Sequence, residues 1–159
     1  MRGMVVYDSL HGNTKQVAEA VAGVLKAAGD VEARHVGEVE AHELSSLDVL
    51  VVGAPTHVFQ PSSDAKKFLK SIPKAALEDI RVAAFDTRIS REDTDSGFLS
   101  FMIGLFGYAA KPMAESLKRK GGTLALPPEG FCVEDTEGPL KDGELERARA
   151  WARPLASTD

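Results

Sequence analysis

Short apolar runs alternate along this chain with longer stretches in which apolar residues recur every three or four positions. Met4–Asp8, Val31–Val36, Val49–Gly53, Val82–Asp86 and Thr123–Leu126 read as strands, three of them continuous apolar runs of the kind buried on both faces of a sheet. Val17, Ala18, Val21, Leu25 and Ala28 keep helical spacing, and the pattern predicts helices over Asn13–Ala28, Ser62–Ile72, Ala109–Arg119 and Asp142–Ala156. Gly29 and Gly121 stand where helices should stop, and Pro73 follows Ile72. Such alternation predicts an α/β fold: a five-stranded parallel sheet whose right-handed crossovers put helices on both faces. Ligands of these sheets bind beyond the carboxyl ends of the strands, where the winding reverses.

One strand-to-helix junction carries chemistry. Val5-Val6-Tyr7-Asp8-Ser9-Leu10-His11-Gly12-Asn13-Thr14 joins the first apolar run to the first helix through hydroxyl, amide and glycine residues. Unpaired amides and the positive end of the helix dipole converge there, which suits an anion. A nucleoside-triphosphate loop needs a lysine and a hydroxyl closing a longer glycine-rich run, and a dinucleotide fingerprint needs three glycines. Gly12 is the only glycine here, so backbone amides and the hydroxyls of Ser9 and Thr14 would hold a monophosphate. The plainer alternative is an ordinary turn with Ser9 as helix cap.

Ser9-Leu10-His11-Gly12-Asn13-Thr14 resembles the flavodoxin loop that binds the phosphate of flavin mononucleotide (FMN), whose pattern is hydroxyl-x-hydroxyl-Gly-x-Thr. His11 replaces a hydroxyl and brings an imidazole able to donate a hydrogen bond. The resemblance implies one flavodoxin-like domain over residues 1–159, a three-layer doubly wound sandwich with strand order 2-1-3-4-5, and FMN as cofactor. The segment Gly53 to Pro61, containing Pro55, Thr56, His57, Val58 and Phe59, resembles the loop that flanks the flavin ring. His57 and Phe59 stand where many flavodoxins place a tryptophan, although Phe59 reads equally well as a core residue. Asp86, Thr87 and Arg88 would lie at the pyrimidine edge of the ring. Arg88 either stabilises negative charge near N1 and O2 or is a loop arginine paired with Glu92 or Asp93.

The implied function is an FMN-binding redox protein that carries electrons between protein or small-molecule partners. No glycine lies between Gly53 and Gly97, where one-electron flavodoxins commonly have one that lets a peptide turn over. With Arg88, this points toward two-electron traffic and to an alternative, an NAD(P)H-dependent quinone or flavin reductase, making the protein an FMN-dependent oxidoreductase. A cofactor-free regulatory or interaction domain is a further alternative.

Composition narrows the setting. The chain has 159 residues, 43% hydrophobic and 27% charged, and a net charge of −5, which argues against nucleic acid as a partner. Its longest apolar stretch falls short of the roughly 20 residues a membrane span needs. The single cysteine, Cys132, and a start directly on the first strand predict a cytoplasmic protein without a disulfide or leader. Glu134 and Asp135 beside Cys132 would raise its pKa, so the thiol reads as structural. Seven acidic residues lie between Glu129 and Glu146 with only Lys141 of opposite sign; they read as a solvated face or as a dock for a basic redox partner, and Gly130 to Leu140 within them resembles the insertion or split fifth strand found in some flavodoxin relatives. Receiver-type phosphoryl chemistry lacks a second carboxylate at Gly53-Ala54, and no Gly-x-Ser-x-Gly elbow marks a hydrolase. His35 and His42 read as surface residues, and Trp151 as packed on the sheet. Phe98-Leu99-Ser100-Phe101-Met102-Ile103-Gly104-Leu105-Phe106 is unusually apolar for a connection and predicts a short helix, by default a plain core element, otherwise packed over the cofactor or against a second subunit in a homodimer.

Overall fold

Alternate side chains of the central strands enter two different cores. Val5, Val49, Val51, Ala83 and Phe85 face one side with Val17, Val21 and Leu25; Met4, Val6, Leu50, Val52 and Ala84 face the other with Phe68, Met113 and Leu117. Burial on both faces explains why these strands are apolar without alternation.

The computed structural model describes residues 1–157 apart from the side chain of Phe106; that side chain, Thr158 and Asp159 lie outside the described residues. The strands are β1 (Arg2–Tyr7), β2 (Asp30–His35), β3 (Val49–His57), β4 (Gln60–Pro61), β5 (Arg81–Ile89), β6 (Thr123–Leu124) and β7 (Glu129–Val133). The helices are α1 (Asn13–Leu25), α2 (Ser63–Ser71), α3 (Gly97–Phe106), α4 (Ala110–Arg119) and α5 (Glu144–Ala152). The parallel order is β2-β1-β3-β5, with β6 and β7 both on the outer edge of β5. Taken together, β6 and β7 fill a fifth position, and the expected order 2-1-3-4-5 holds.

Several boundaries differ from the sequence reading. The Thr123–Leu126 strand stops at Leu124, because Pro127-Pro128 supplies no N–H to a ladder. The fifth position is completed by Glu129–Val133, a split fifth strand such as the resemblance of Gly130–Leu140 implied, within a stretch also read as a solvated acidic face. Helices α1 and α5 are shorter than expected and each ends in a 3-10 turn, Lys26–Ala28 and Arg153–Ala156. Strands β3 and β5 run past the predicted Gly53 and Asp86, since Ala54 pairs with Asp86 and Pro55 with Thr87, and β7 continues the ladder to Ile89. Two stretches expected as loops are therefore ladder-bonded strand ends. No described helix is long and apolar enough to cross a membrane.

Trp151 packs edge-on to Phe85 and Phe131, with ring centroids 6.1 and 6.0 Å away, as the sequence suggested. Phe85 fits there because Gly53 leaves room: a Cβ on Gly53 would lie 2.1 Å from the tip of the Phe85 ring. Gly53→Ala is expected to cost about 2 kcal/mol through overpacking. A lowered urea midpoint with an unchanged slope would register this, whereas an unchanged midpoint would mean that Phe85 moves aside freely.

Candidate functional site

Three segments meet at the carboxyl end of the sheet, on either side of the point where the winding reverses. The first begins at Asp8, whose amide still donates to Gly53 O at 3.0 Å, and turns at Gly12, with φ of +90°. Ser9 Oγ sits inside the turn and accepts from the amides of Gly12 at 3.1 Å and Lys15 at 3.2 Å. The amides of His11, Asn13 and Thr14 have no hydrogen-bond partner among the described residues, as the opening of a helix requires. A Cβ on Gly12 would meet nothing within 4 Å. Glycine is needed there for its backbone conformation and not for space.

Thr14 is buried and its hydroxyl lies 2.8 Å from that of Thr87 on β5. Between them the two hydroxyls have one hydrogen to spare for the cleft in front. Asn13 is also buried, but its side-chain amide donates to Glu137 O at 3.1 Å, so it holds the loop after β7 and offers the cleft only its backbone. Asp8 supports the turn from behind. Its Oδ1 accepts from Ser9 N at 2.9 Å and lies 3.2 Å from His35 Nε2. His35 Nδ1 accepts from Gly37 N at 3.0 Å, which leaves Nε2 as the protonated nitrogen. His35, its side chain 38% exposed, is at the surface as expected and also braces the turn; His42 is exposed, as expected.

The cleft encloses about 100 Å³. Leu10, His11, Asn13 and Thr14 line it from the first segment, Pro55 and Thr56 from β3, and Thr87 and Arg88 from β5. Ile89, Val133 and Thr136 line it as well and were missed in the sequence; their only signal was that strand ends at this edge face the ligand. Ser9 and Gly12 shape the turn without lining the cleft. His57, Val58 and Phe59 form the tip of the β3–β4 hairpin, with Val58 and Phe59 at φ +47° and +65°. Two left-handed central residues make a type I′ hairpin turn, a costly conformation for a β-branched valine.

Arg88 departs furthest from expectation. It pairs with neither Glu92 nor Asp93: its Nε and Nη2 donate to Asp86 Oδ1 and Oδ2 at 2.6 and 2.7 Å. Its guanidinium carbon lies 3.7 Å from the centroid of the Tyr108 ring. Asp86 has no exposed surface and also accepts from Ala110 N, at the start of α4, at 2.8 Å. Burial holds the Asp86 carboxyl above its ordinary pKa, while the bonds and charge of Arg88 pull against it. Gly130 makes the arrangement possible, because a Cβ there would sit 2.0 Å from the guanidinium. Tyr108 and Gly130 are further residues that sequence reasoning did not place here. Nearby, burial and then Glu144 push the Cys132 thiol up, which keeps it protonated at neutral pH, although the responsible carboxylate is not the predicted Glu134 or Asp135.

The model of the flavodoxin domain matches residues 4–126. The chain belongs to the flavodoxin family. A flavodoxin from Aquifex aeolicus (strain VF5) is 37% identical over 71 residues, a stretch that spans 43% of this chain and 38% of that one. Among solved structures, oxidised flavodoxin 1 from Bacillus cereus superposes with a TM-score of 0.76 at 18% identity, covering 98% of this flavodoxin and 97% of the other. A flavodoxin from the domain Archaea gives 0.73 at 23% identity, with 98% and 96% covered. At such identities the structures establish the fold, and the phosphate turn must be judged on its own residues. Three partnerless amides around a left-handed glycine, with a hydroxyl pair behind them, fit a phosphate monoester.

Proposed function

We propose that this flavodoxin binds FMN with its phosphate on the first turn of α1 and carries electrons to and from partner molecules. The observation that carries the reading is the set of partnerless amides of His11, Asn13 and Thr14, gathered by Gly12 and Ser9 and backed by the Thr14–Thr87 hydroxyls. FMN, when bound, supplies the redox chemistry. The chain's residues hold the phosphate, set the surroundings of the ring and leave part of it open. The enclosed volume of about 100 Å³ is well below the ~300–1,000 Å³ of ordinary ligand pockets. The ring would therefore rest at the mouth, beside Pro55, Thr56 and the 57–59 hairpin tip on one side and Thr87 and Arg88 on the other, with the buried Asp86 behind Arg88 and out of its reach. A ring at the mouth suits exchange of electrons with a docked partner.

Carrier chemistry is favoured over the NAD(P)H-dependent reductase by one observation. Arg88 was the residue that pointed to stabilised anionic flavin, and its charge is already matched by Asp86. The exposed Glu134, Asp135 and Glu137 lie beside the cleft and take part in no ion pair among the described residues, which supports a partner with a basic contact face. The exposed Phe98, Leu99, Phe101 and Leu105 support a protein contact at the same end of the sheet, including one within a homodimer. The whole 159-residue chain works as one domain in this reading, and an unpaired, protonated Cys132 suits the reducing cytoplasm.

Titration of the flavin-free protein with FMN tests the proposal. FMN fluorescence should be quenched, and at about 100 times Kd the fold should gain about 2.7 kcal/mol by linkage. Thr14→Val, which removes the hydroxyl but keeps the shape, should weaken FMN roughly tenfold or more, as loss of a hydrogen bond to a charged group does, and leave riboflavin unaffected. Absence of both quenching and stabilisation would favour the cofactor-free alternative.

A further inference from the structure

Positive charge is scarce around the phosphate turn. Among the described residues lining the cleft, only His11 and Arg88 carry ionisable side chains, and the charge of Arg88 is already matched by Asp86 at 2.6 Å. Lys15, the other cation of the turn, reaches along α1 to Glu19 at 3.9 Å and does not line the cleft. On the side of the loop after β7, Thr136 lines the cleft and is flanked in sequence by Asp135 and Glu137, both exposed and in no ion pair among the described residues. Lys141, farther along that loop, is held by Asp93. Behind the turn, Asp8 is engaged by Ser9 N and His35, while the β3 wall of Pro55 and Thr56 is uncharged and His57 stands exposed at the hairpin tip beyond it. A phosphate dianion would therefore meet amide dipoles and nearby carboxylates but no free cation, unless His11 supplies one.

We propose that His11 meets the FMN phosphate as an imidazolium, so that the site takes up a proton together with its ligand and holds FMN more tightly as pH falls from about 8 to about 6. The side chain is placed for this. His11 is exposed, lines the cleft and makes no side-chain hydrogen bond or ion pair among the described residues, while its own amide is one of the three partnerless ones. One residue thus offers the turn both an amide and an unengaged ring. A neutral imidazole has a single N–H to donate, no more than the hydroxyl of a threonine in its place, and only the protonated ring adds charge. Histidine side chains ordinarily ionise near pH 6.5. An opposite charge within about 4–6 Å favours the charged form of such a group by about one unit or more, and by linkage the same factor of about ten appears in the affinity for the anion. The inference rests on the phosphate reading of the α1 turn and adds the charge state in which that turn works.

Fluorescence titration of the wild type and of His11→Thr with FMN at about pH 8 and about pH 6 tests it. The ratio of the two affinities is the quantity to read, because free FMN titrates identically for both proteins. Wild-type affinity relative to His11→Thr should rise about fivefold or more between the higher and the lower pH. Calorimetry at about pH 7, in two buffers of different ionisation heat, should show the wild type taking up about half a proton more per FMN than the variant. Riboflavin, which has no phosphate, should give the two proteins equal proton uptake. Because His11 is exposed, the flavin-free variant should keep the wild-type Tm, which shows that the fold is intact. A ratio that does not change with pH, together with equal proton uptake on binding FMN, would overturn the proposal. Absence of FMN quenching in both proteins at both pH values would overturn the phosphate reading itself, so the two failures are told apart.

Discussion

Arg88→Met should cost the fold about 3 kcal/mol at neutral pH, the lower end of what removing one member of a buried ion pair does. The lower end applies because Arg88 is 22% exposed while Asp86 is fully buried. Methionine keeps much of the apolar stem against Tyr108 but leaves the Asp86 carboxylate with only the Ala110 amide. The pH dependence follows from the raised Asp86 pKa. In the window between the ordinary carboxyl range and that raised value, the native state holds a proton that the unfolded chain has released, so stability falls as pH rises. Removing Arg88 takes away the interactions that lower the pKa, lifts it further and widens the window upward. The penalty should accordingly grow as pH rises through that window, and so be larger at about pH 7.5 than at about pH 4.5. Urea midpoints at the two pH values measure it. A loss under about 1 kcal/mol, or one independent of pH, would mean that the pair behaves as a solvated surface contact.

This pair also shows where the sequence stopped being informative. Asp86 and Arg88 are two residues apart, and on a strand side chains two apart share a face; read as a loop, the same residues had no such relation. The loop reading arose because the apolar run ends at Phe85. Continuation of β5 depends on β7, which lies beyond the Pro127-Pro128 break and whose Gly130 alone leaves space for the guanidinium. No local pattern encodes that partnership. The first turn was legible for the opposite reason: glycine at a left-handed position, a capping hydroxyl and a helix start are all local requirements. Even there Asn13 was only half understood, since its side chain answers to Glu137, far along the chain. The core strands were readable because burial on both faces leaves little besides Val, Ile, Leu and Ala.

Gly12→Val should weaken FMN binding by more than about 100-fold, on the arithmetic that losing two hydrogen bonds to a charged acceptor costs about 3 kcal/mol or more. Crowding plays no part, since a Cβ at Gly12 meets nothing within 4 Å. The cause is the backbone: at φ +90° a β-branched residue is strained by about 1–2 kcal/mol or more. Valine relieves the strain by moving to negative φ, which turns the amides of Asn13 and Thr14 away from the centre they share with that of His11 and breaks the bond from Gly12 N to Ser9 Oγ. Riboflavin, which has no phosphate, should bind the variant and the wild type within a few-fold of each other. Gly23→Ala is the matched control. Gly23 lies on the same helix, also with nothing near its Cβ but without a positive φ, and alanine there should leave FMN affinity intact and stabilise the helix by up to about 1 kcal/mol. Fluorescence titrations of the three proteins with both flavins separate the outcomes. Equal losses for FMN and riboflavin would place the effect of Gly12 on the ring site or the fold, and an unaffected FMN affinity would remove the α1 turn from the phosphate site altogether.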